Sequence, residues 1–229
     1  MKRTLVISDI HGEIDMFNAL LDKVNYDKEN DQLILLGDYI DRGPDSKRVI
    51  ERVMELKSEG AITLIGNHEA MLLETVDGDA YGQERYKRNG GMETVKSYDA
   101  TIESFALPNT KTFYRHVDFI RNLDLYYETE DYIFVHAGVV PNKRLEDMTQ
   151  DELLWIRDEF FKKYHGKKTV IFGHTPTSTL HDSKNFDPYF GDNNIIGIDG
   201  GAVFGGQLNC LLLPEKTFLS VKNPKSKKD

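Results

Sequence analysis

The stretch Leu33-Ile34-Leu35-Leu36-Gly37-Asp38-Tyr39-Ile40-Asp41-Arg42-Gly43 joins an apolar run to a group of charged side chains. The run is short enough for one buried strand, and a glycine ends it just before Asp38, Asp41 and Arg42. A carboxylate can bridge two cations through its two oxygens, and an arginine can hold an oxyanion with its planar fork. The stretch therefore predicts a buried strand whose carboxyl end carries a site, if the rest of the chain supplies further ligands.

Short apolar runs elsewhere in the chain end in the same way, with a small residue and a histidine, asparagine or aspartate. They are residues 4–7 before Ser8-Asp9-Ile10-His11-Gly12, residues 61–65 before Gly66-Asn67-His68-Glu69, residues 132–135 before His136-Ala137-Gly138, and residues 169–172 before Gly173-His174-Thr175. Continuous aliphatic runs suit strands that are buried on both faces. In open α/β sheets the reactive groups gather beyond the carboxyl ends of such strands, so we expect one shared site there.

The connections between the first three runs have helical periodicity. Apolar residues recur at i, i+3, i+4 and i+7 from Phe17 to Val24, and a similar stripe runs from Val49 to Leu56. Residues 70–131 lack the strand-then-ligand pattern and are expected to form a mostly helical cover. Glycines after Ile195 predict closing strands joined by tight turns. We predict an α/β fold with one domain over residues 1–221 and a basic, solvated tail over residues 222–229.

The charge balance limits the class of partner. The 229 residues include 29 Lys and Arg against 38 Asp and Glu, a formal net charge of -9, which opposes binding to nucleic acid or an anionic membrane. No run approaches the roughly 20 apolar residues of a membrane helix, and Ser8 interrupts the first apolar run too early for a signal peptide. The sequence predicts a cytoplasmic protein whose single cysteine, Cys210, packs in the core.

The strand ends together offer a set of metal-binding side chains. They are Asp9, His11, Asp38, Asn67, His68, His136 and His174. Carboxylate, imidazole and amide oxygen without thiolate suit divalent Mn, Fe or Zn. The number of ligands implies two cations, the first held by Asp9 and His11 from one side of an extended segment. Asn67, His136 and His174 can hold the second cation, and Asp38 between them would bridge. Each histidine alone could be structural, but four of the seven follow apolar runs directly.

The motifs carry a family resemblance. Asp9-Ile10-His11-Gly12, Gly37 to Gly43, Gly66-Asn67-His68-Glu69, His136-Ala137-Gly138 and Gly173-His174-Thr175 resemble, in order, the motif set of the PPP-type metallophosphatases of the calcineurin-like phosphoesterase superfamily. Ile198-Asp199-Gly200-Gly201 and Gly205-Gly206 are similar to the closing strands of its small bacterial and phage members. The resemblance implies a β-sandwich of mixed sheets flanked by helices, with the site at the carboxyl ends of strands.

The resemblance also implies a role for each site residue. Asp9, His11 and Asp38 would hold one divalent metal, and Asp38, Asn67, His136 and His174 the other, with Mn preferred and Fe or Zn as alternatives. A hydroxide that bridges the metals would attack phosphorus in line. His68 would protonate the leaving oxygen while Asp41 fixes its tautomer. Arg42, Arg157 and Asn67 would contact the phosphoryl oxygens.

Two positions depart from the patterns of the superfamily. Ser8 replaces the glycine of most members, and Pro176 stands where many superfamily nucleases carry a second histidine, which favours the PPP branch. Our first hypothesis is a phosphomonoesterase acting on phosphoserine and phosphothreonine in proteins. The alternative is a hydrolase of diadenosine tetraphosphate or a related small nucleotide, because the small bacterial relatives include such enzymes. A third hypothesis, an inactive binding module, conflicts with the complete set of ligands.

Overall fold

The computed structural model describes residues 2–224 of the chain, and two five-stranded sheets form its centre. The strands are β1 (Arg3–Ile7), β2 (Asp31–Leu35), β3 (Ile62–Thr63), β4 (Tyr126–Glu128), β5 (Tyr132–Val135), β6 (Thr169–Phe172), β7 (Tyr189–Gly191), β8 (Ile195–Gly197), β9 (Gln207–Leu213) and β10 (Thr217–Lys222). The helices are α1 (Ile14–Lys23), α2 (Ser46–Ser58), α3 (Asn67–Val76), α4 (Ala80–Arg88), α5 (Gly91–Tyr98), α6 (Lys111–Arg121), α7 (Gln150–Trp155), α8 (Asp158–Lys163) and α9 (Thr177–Leu180). Single turns of 3₁₀ helix lie at Leu145–Asp147 and Ala202–Phe204.

Both sheets mix parallel and antiparallel strands. The first has the order β10-β9-β1-β2-β3, in which β1, β2 and β3 are parallel and β9 is antiparallel to both of its neighbours, β1 and β10. The second has the order β4-β5-β6-β8-β7, with β5, β6 and β8 parallel between antiparallel edge strands. Their inner faces share one apolar cluster. It contains Val6, Ile34, Leu36, Leu64, Phe134, Ile171, Ile196, Ile198, Leu211 and Leu213. The predicted α/β sandwich of mixed sheets is therefore confirmed.

The apolar runs are continuous because both faces of each central strand are covered. In β1, Leu5 and Ile7 face the helices while Val6 faces the second sheet. Buried apolar residues of α1, α2, α3 and α6 cover the first sheet, and α7 and α8 cover the second. Each of these faces removes apolar surface from water, which is the main favourable contribution to folding. The pattern that predicted buried strands thus reflects their position between two covers.

A side-chain cap starts each of the helices α2, α4, α6 and α7. The side chain of Asp45 accepts the Arg48 N–H at 3.0 Å and caps α2, the predicted helix after Pro44.

The region from residue 67 to residue 121 contains α3, α4, α5 and α6, and β4 follows. No helix among residues 2–224 is both long and apolar enough to cross a membrane.

The end of the described chain closes the first sheet. Lys222 pairs with Gln207 as the last residue of β10, and Asn223 is buried. The strand therefore continues past residue 221, where we expected the domain to end. Residues 225–229, the rest of the predicted basic tail, lie outside the described residues. Cys210 is buried in β9, and burial raises the pKa of its thiol to about 12, which suits the predicted packing role.

Candidate active site

The predicted site residues come together where the segments after β1, β2, β3, β5 and β6 meet, and Arg157 joins them from between α7 and α8. The His136 ring donates from Nδ1 to the Leu36 carbonyl at 2.9 Å. The His174 N–H donates to both carboxylate oxygens of Asp9, at 3.1 and 3.0 Å. Each of these contacts joins a loop of one sheet to a loop of the other. The closure of the sandwich therefore assembles the site from segments that are more than 90 residues apart in sequence.

Six of the candidate residues have a left-handed backbone. They are Asp9, His11, Asp38, Asp41, Arg42 and His174, out of eleven such non-glycine residues in the range 2–224. This conformation costs roughly 1–2 kcal/mol for an L-residue and persists where surrounding contacts enforce it, often at functional sites. The expected extended segment from Asp9 to His11 is therefore wrong, because β1 has already ended at Ile7. The two side chains reach the site by separate backbone turns.

Asp38 lies at the centre of the site and belongs to two groups of possible metal ligands. One group is His11, Asp38 and His68, and the other is Asp38, His136 and His174. Asp38 Oδ2 is 3.5 Å from His11 Nε2, and Asp38 Oδ1 is 3.5 Å from His136 Nε2. All five side chains are buried. One carboxylate that presents a different oxygen to each group has the geometry of a bridging ligand.

Backbone carbonyls orient the two histidines that face Asp38. Nδ1 of His11 donates to the Ile40 carbonyl at 2.7 Å, as His136 does to Leu36. Because a carbonyl only accepts, Nδ1 carries the proton and Nε2 presents its lone pair to the site. Burial lowers the pKa of both rings, which keeps them neutral and able to bind a metal. This support of the outer ring nitrogen is the usual arrangement around metal-binding histidines.

The second group also includes the amide oxygen of Asn67. Asn67 Oδ1 lies 2.8 Å from His136 Nε2 and 2.8 Å from His174 Nδ1. The single ring proton of His136 is on Nδ1, in the hydrogen bond to the Leu36 carbonyl. With Asn67 in this orientation, the lone pair of His136 Nε2 therefore faces a lone pair of Asn67 Oδ1. Such closely spaced acceptors suit a cation between them. The residues present therefore fit a second metal ion on chemical grounds.

Buried carboxylates strengthen the case for cations. Burial raises the pKa of Asp9 to about 6 and that of Asp38 to about 7, and it raises the pKa of buried Asp199 well above its usual value. The Asp9 carboxylate accepts hydrogen bonds from His174 N–H and the Ser8 hydroxyl, and it belongs to neither ligand group. Anions withdrawn from water in this way need opposite charge nearby, which divalent metals supply.

His68 and Asp41 form the predicted pair beside Asp38. His68 Nδ1 donates to Asp41 Oδ2 at 2.6 Å, and both side chains are fully buried. The opposite ring nitrogen, Nε2, lies 3.9 Å from Asp38 Oδ2 and so faces the metal ligands. Burial raises the pKa of Asp41 to about 8 and lowers the pKa of His68. The carboxylate fixes the tautomer and the ring orientation of His68.

The helical cover contributes a residue that the sequence motifs did not indicate. Thr94, on α5, donates from Oγ1 to Asp41 Oδ1 at 2.5 Å, and its oxygen accepts the Asp41 N–H at 2.9 Å. Ser46 Oγ accepts the same N–H at 2.9 Å. The side chain that orients His68 is thus itself held by the region between residues 67 and 121. No motif around Thr94 signals this contact, because it arises only when α5 packs on α2.

The two predicted phosphate-binding arginines lie on different loops. Arg42 Nη1 donates to His11 Nε2 at 2.8 Å, so a cation already faces the lone pair that a metal would take. Arg157, between α7 and α8, donates to Thr175 Oγ1 at 2.5 Å and to the His174 carbonyl at 3.4 Å. Each guanidinium therefore touches a candidate metal ligand or its neighbour. This placement suits contacts to an anion bound at the same centre.

Glu69 holds the loop that carries Asp38. Its Oε2 accepts the N–H groups of Asp38 and Gly66 at 2.8 and 2.9 Å, and its Oε1 accepts those of Tyr39 and Ile40 at 2.8 and 3.2 Å. Glu69 is completely buried, and burial raises its pKa to about 7. The sequence contained it in the Gly66–Glu69 motif without a role. Its position three residues after Gly66, at the start of a helix, was the available signal.

Replacing Glu69 by glutamine is expected to destabilise the fold by about 3 kcal/mol, because one oxygen becomes an amide that faces two N–H donors. In a chain of this size that corresponds to a decrease of about 6 °C or more in Tm, which thermal denaturation measures. Glu29→Gln, at an exposed turn, is the matched control and should leave Tm unchanged. An unchanged Tm for Glu69→Gln would mean that these four N–H groups need no carboxylate.

Comparisons with known proteins find a matching family and similar proteins. The family model for calcineurin-like phosphoesterases matches residues 2–206. The chain is 28% identical to the asymmetrical bis(5'-nucleosyl)-tetraphosphatase PrpE of Oceanobacillus iheyensis, over 94% of this chain and 90% of the relative. It is 30% identical to the protein of that name from Bacillus cereus strain Q1, over 94% of this chain and 92% of the relative.

Solved structures show the same fold. A crystal structure provisionally described as a diadenosine tetraphosphatase superposes with a TM-score of 0.72 at 22% identity, covering 97% of this chain and 94% of the other. A serine/threonine phosphatase from Saccharomyces cerevisiae gives a TM-score of 0.65 at 13% identity, covering 97% and 79%. At these identities the likeness concerns the fold alone. The family model, in contrast, spans most of the 229 residues, so the chain belongs to the calcineurin-like phosphoesterase family.

Proposed function

We propose that this metal-dependent phosphoesterase is a dinuclear hydrolase of dinucleoside polyphosphates, with bis(5'-nucleosyl)-tetraphosphates as its leading substrates. The observation that carries the reaction class is the position of Asp38 between two buried ligand groups. The substrate class is supported by relatives named as bis(5'-nucleosyl)-tetraphosphatases, which match over nearly their whole length. Those relatives favour the alternative of the sequence analysis over phosphoproteins, its first choice. The protein phosphatases among the similar solved structures are 13% and 18% identical to this chain, and likeness at that level concerns the fold alone.

The metal ligands divide between two sites in this proposal. Asp38 bridges, Asn67, His136 and His174 complete the second site, and His11 belongs to the first. The first site also needs Asp9, which the resemblance assigns to it although its carboxylate now bonds His174 N–H. Two bound divalent ions would supply a nucleophilic water of lowered pKa and would polarise the phosphoryl oxygens. Mn²⁺ is our first choice of metal, with Fe or Zn as alternatives.

The remaining residues position the substrate and move its proton. Arg42 and Arg157 hold phosphoryl oxygens by charged hydrogen bonds, with the Asn67 side chain alongside them. In its doubly protonated form, His68 gives a proton to the leaving oxygen from Nε2, which faces Asp38, and Nδ1 keeps the proton that it shares with Asp41. Asp41 holds the opposite nitrogen of that ring and stabilises the charged form. When a dinucleoside polyphosphate is cleaved, the leaving group is itself a phosphate, which needs less help from an acid than an alkoxide does.

A substrate panel tests the proposal. After metal analysis and Mn²⁺ loading, kcat/KM for diadenosine tetraphosphate should exceed that for a phosphoserine peptide by at least about tenfold, the order of discrimination that binding contacts provide. Chromatography identifies the products, and phosphate release is measured for the peptide. The Asp38→Asn protein, purified in the same way, shows whether a contaminating phosphatase contributes. A preference for the phosphopeptide would overturn the substrate class, while inactivity on both substrates would overturn the proposed reaction.

A further inference from the structure

An exposed aromatic ring stands beside the phosphate-binding arginine. Phe204 is 64% exposed, more than any other phenylalanine in the range 2–224. The Arg42 guanidinium carbon lies 5.1 Å from the centre of its ring. The same guanidinium contacts His11 Nε2 at 2.8 Å. Phe204 is therefore separated from a candidate metal ligand by a single side chain.

The turn that carries Phe204 holds the ring in this exposed place. Gly201 and Gly205 flank it with left-handed backbones, at φ values of 62° and 88°. The Phe204 N–H donates to the Gly201 carbonyl at 3.0 Å. Asn223, beyond β10, donates from its side chain to the Ala202 carbonyl at 2.8 Å and from its N–H to the Gly206 carbonyl at 2.9 Å. These hydrogen bonds hold the turn at both ends, and the turn in turn keeps the Phe204 ring exposed to solvent.

Such a ring has a specific use next to a phosphate site. An aromatic face binds a nucleobase by stacking, and an arginine on the ring adds a cation–π contact. In a nucleotide, one ribose separates the base from its first phosphate. In this protein, one guanidinium separates the Phe204 ring from His11. The order of base, ribose and phosphate in a nucleotide thus parallels the order of the Phe204 ring, the Arg42 guanidinium and His11 in the site.

We propose that Phe204 stacks on a nucleobase of the substrate while the adjoining phosphate is held by Arg42 at the metal centre. The proposal rests on the proposed function, since it requires a nucleoside phosphate at that centre. It makes Phe204 a specificity-determining residue that separates nucleotides from phosphoproteins and simple phosphate esters. The sequence placed this residue between Gly200-Gly201 and Gly205-Gly206, a pattern that indicated a tight turn but gave no role to the ring.

Binding measurements can isolate the contribution of the base. AMP and ribose 5-phosphate differ only in the base, so the ratio of their dissociation constants for the Mn²⁺-loaded protein reports the base contact. Calorimetric titration measures both, and chromatography checks that neither is hydrolysed. We expect AMP to bind about tenfold more tightly than ribose 5-phosphate, within the range for one stacked base. Phe204→Leu should reduce this ratio to near one, and Phe204→Trp should retain it.

Because Arg42 packs on Phe204, removing the ring can also change the affinity for phosphate. Such a change affects AMP and ribose 5-phosphate alike, so it cancels in the ratio of their dissociation constants. Phe190→Leu, an exposed phenylalanine of β7, is the matched control and should keep the ratio of the unmodified protein. A ratio near one in the unmodified protein, or a ratio that survives in Phe204→Leu, would overturn the stacking proposal. If the ratio behaves as expected but diadenosine tetraphosphate is not cleaved, the stacking site stands and only the proposed reaction fails.

Discussion

Replacing Asp38 by asparagine is expected to remove nearly all phosphatase activity and to leave fewer than two metal ions per chain. Asp38 presents one oxygen toward His11 and the other toward His136, each 3.5 Å away. Asparagine keeps the shape but loses the charge and one of the two ligand oxygens, so both metal sites are weakened together. Loss of a residue that merely supports a ligand costs 10- to 100-fold, and we expect loss of the shared ligand to lower kcat/KM by at least about 100-fold.

Metal content and activity should fall together in this variant. Elemental analysis after dialysis gives the metal content, and hydrolysis of diadenosine tetraphosphate and of p-nitrophenyl phosphate gives the activity. Asp118→Asn changes an exposed aspartate of α6 by the same chemistry and should retain two metals and full turnover. Circular dichroism must show that Asp38→Asn remains folded. A folded variant with two metals and unchanged kcat/KM would contradict a bridging role for Asp38.

Most of the fold follows from local patterns in the chain. The apolar runs before Asp9, Asp38, His136 and His174 are strands because both of their faces are covered, and this burial is what makes the runs continuous. The stripe from Val49 to Leu56 is a helix because its residues fall on one face of α2. The arrangement of the strands into two sheets was inferred only from the family resemblance. Local patterns in the sequence do not determine which strands pair.

The site was predictable as a set of residues but not as a geometry. Four histidines after apolar runs indicated a metal centre, and the structure brings them together around Asp38. The left-handed turns at Asp9 and His11 could not be foreseen, because the backbone there is fixed by contacts with the loop after β2. Thr94 and Phe204 were missed for a related reason. Their positions beside Asp41 and Arg42 depend on packing between distant segments, which leaves no periodic trace in the sequence.

His68→Asn is expected to slow turnover of substrates with poor leaving groups far more than turnover of p-nitrophenyl phosphate. An alkoxide leaving group needs a proton as the bond to phosphorus breaks, whereas p-nitrophenolate leaves without one. Loss of a positioned acid should therefore lower kcat for β-glycerophosphate by about 100-fold or more and affect the nitrophenyl ester much less. Asp41→Asn should give the same pattern to a smaller degree, because His68 would keep its place but lose the partner that fixes its tautomer.

The metal content of His68→Asn shows whether Asp9 or His68 is the ligand beside His11 and Asp38 at the first metal site. His68 Nε2 lies 3.9 Å from Asp38 Oδ2 and within the group formed with His11, so the geometry alone would also allow it to bind the metal. If His68 acts as the acid, His68→Asn keeps two metals per chain while Asp9→Asn loses one. If His68 is a ligand and Asp9 is not, His68→Asn loses one metal and Asp9→Asn keeps two. Turnover of β-glycerophosphate and of p-nitrophenyl phosphate by His68→Asn is then slowed to the same extent. The second outcome would remove His68 from proton transfer and Asp9 from the metal site.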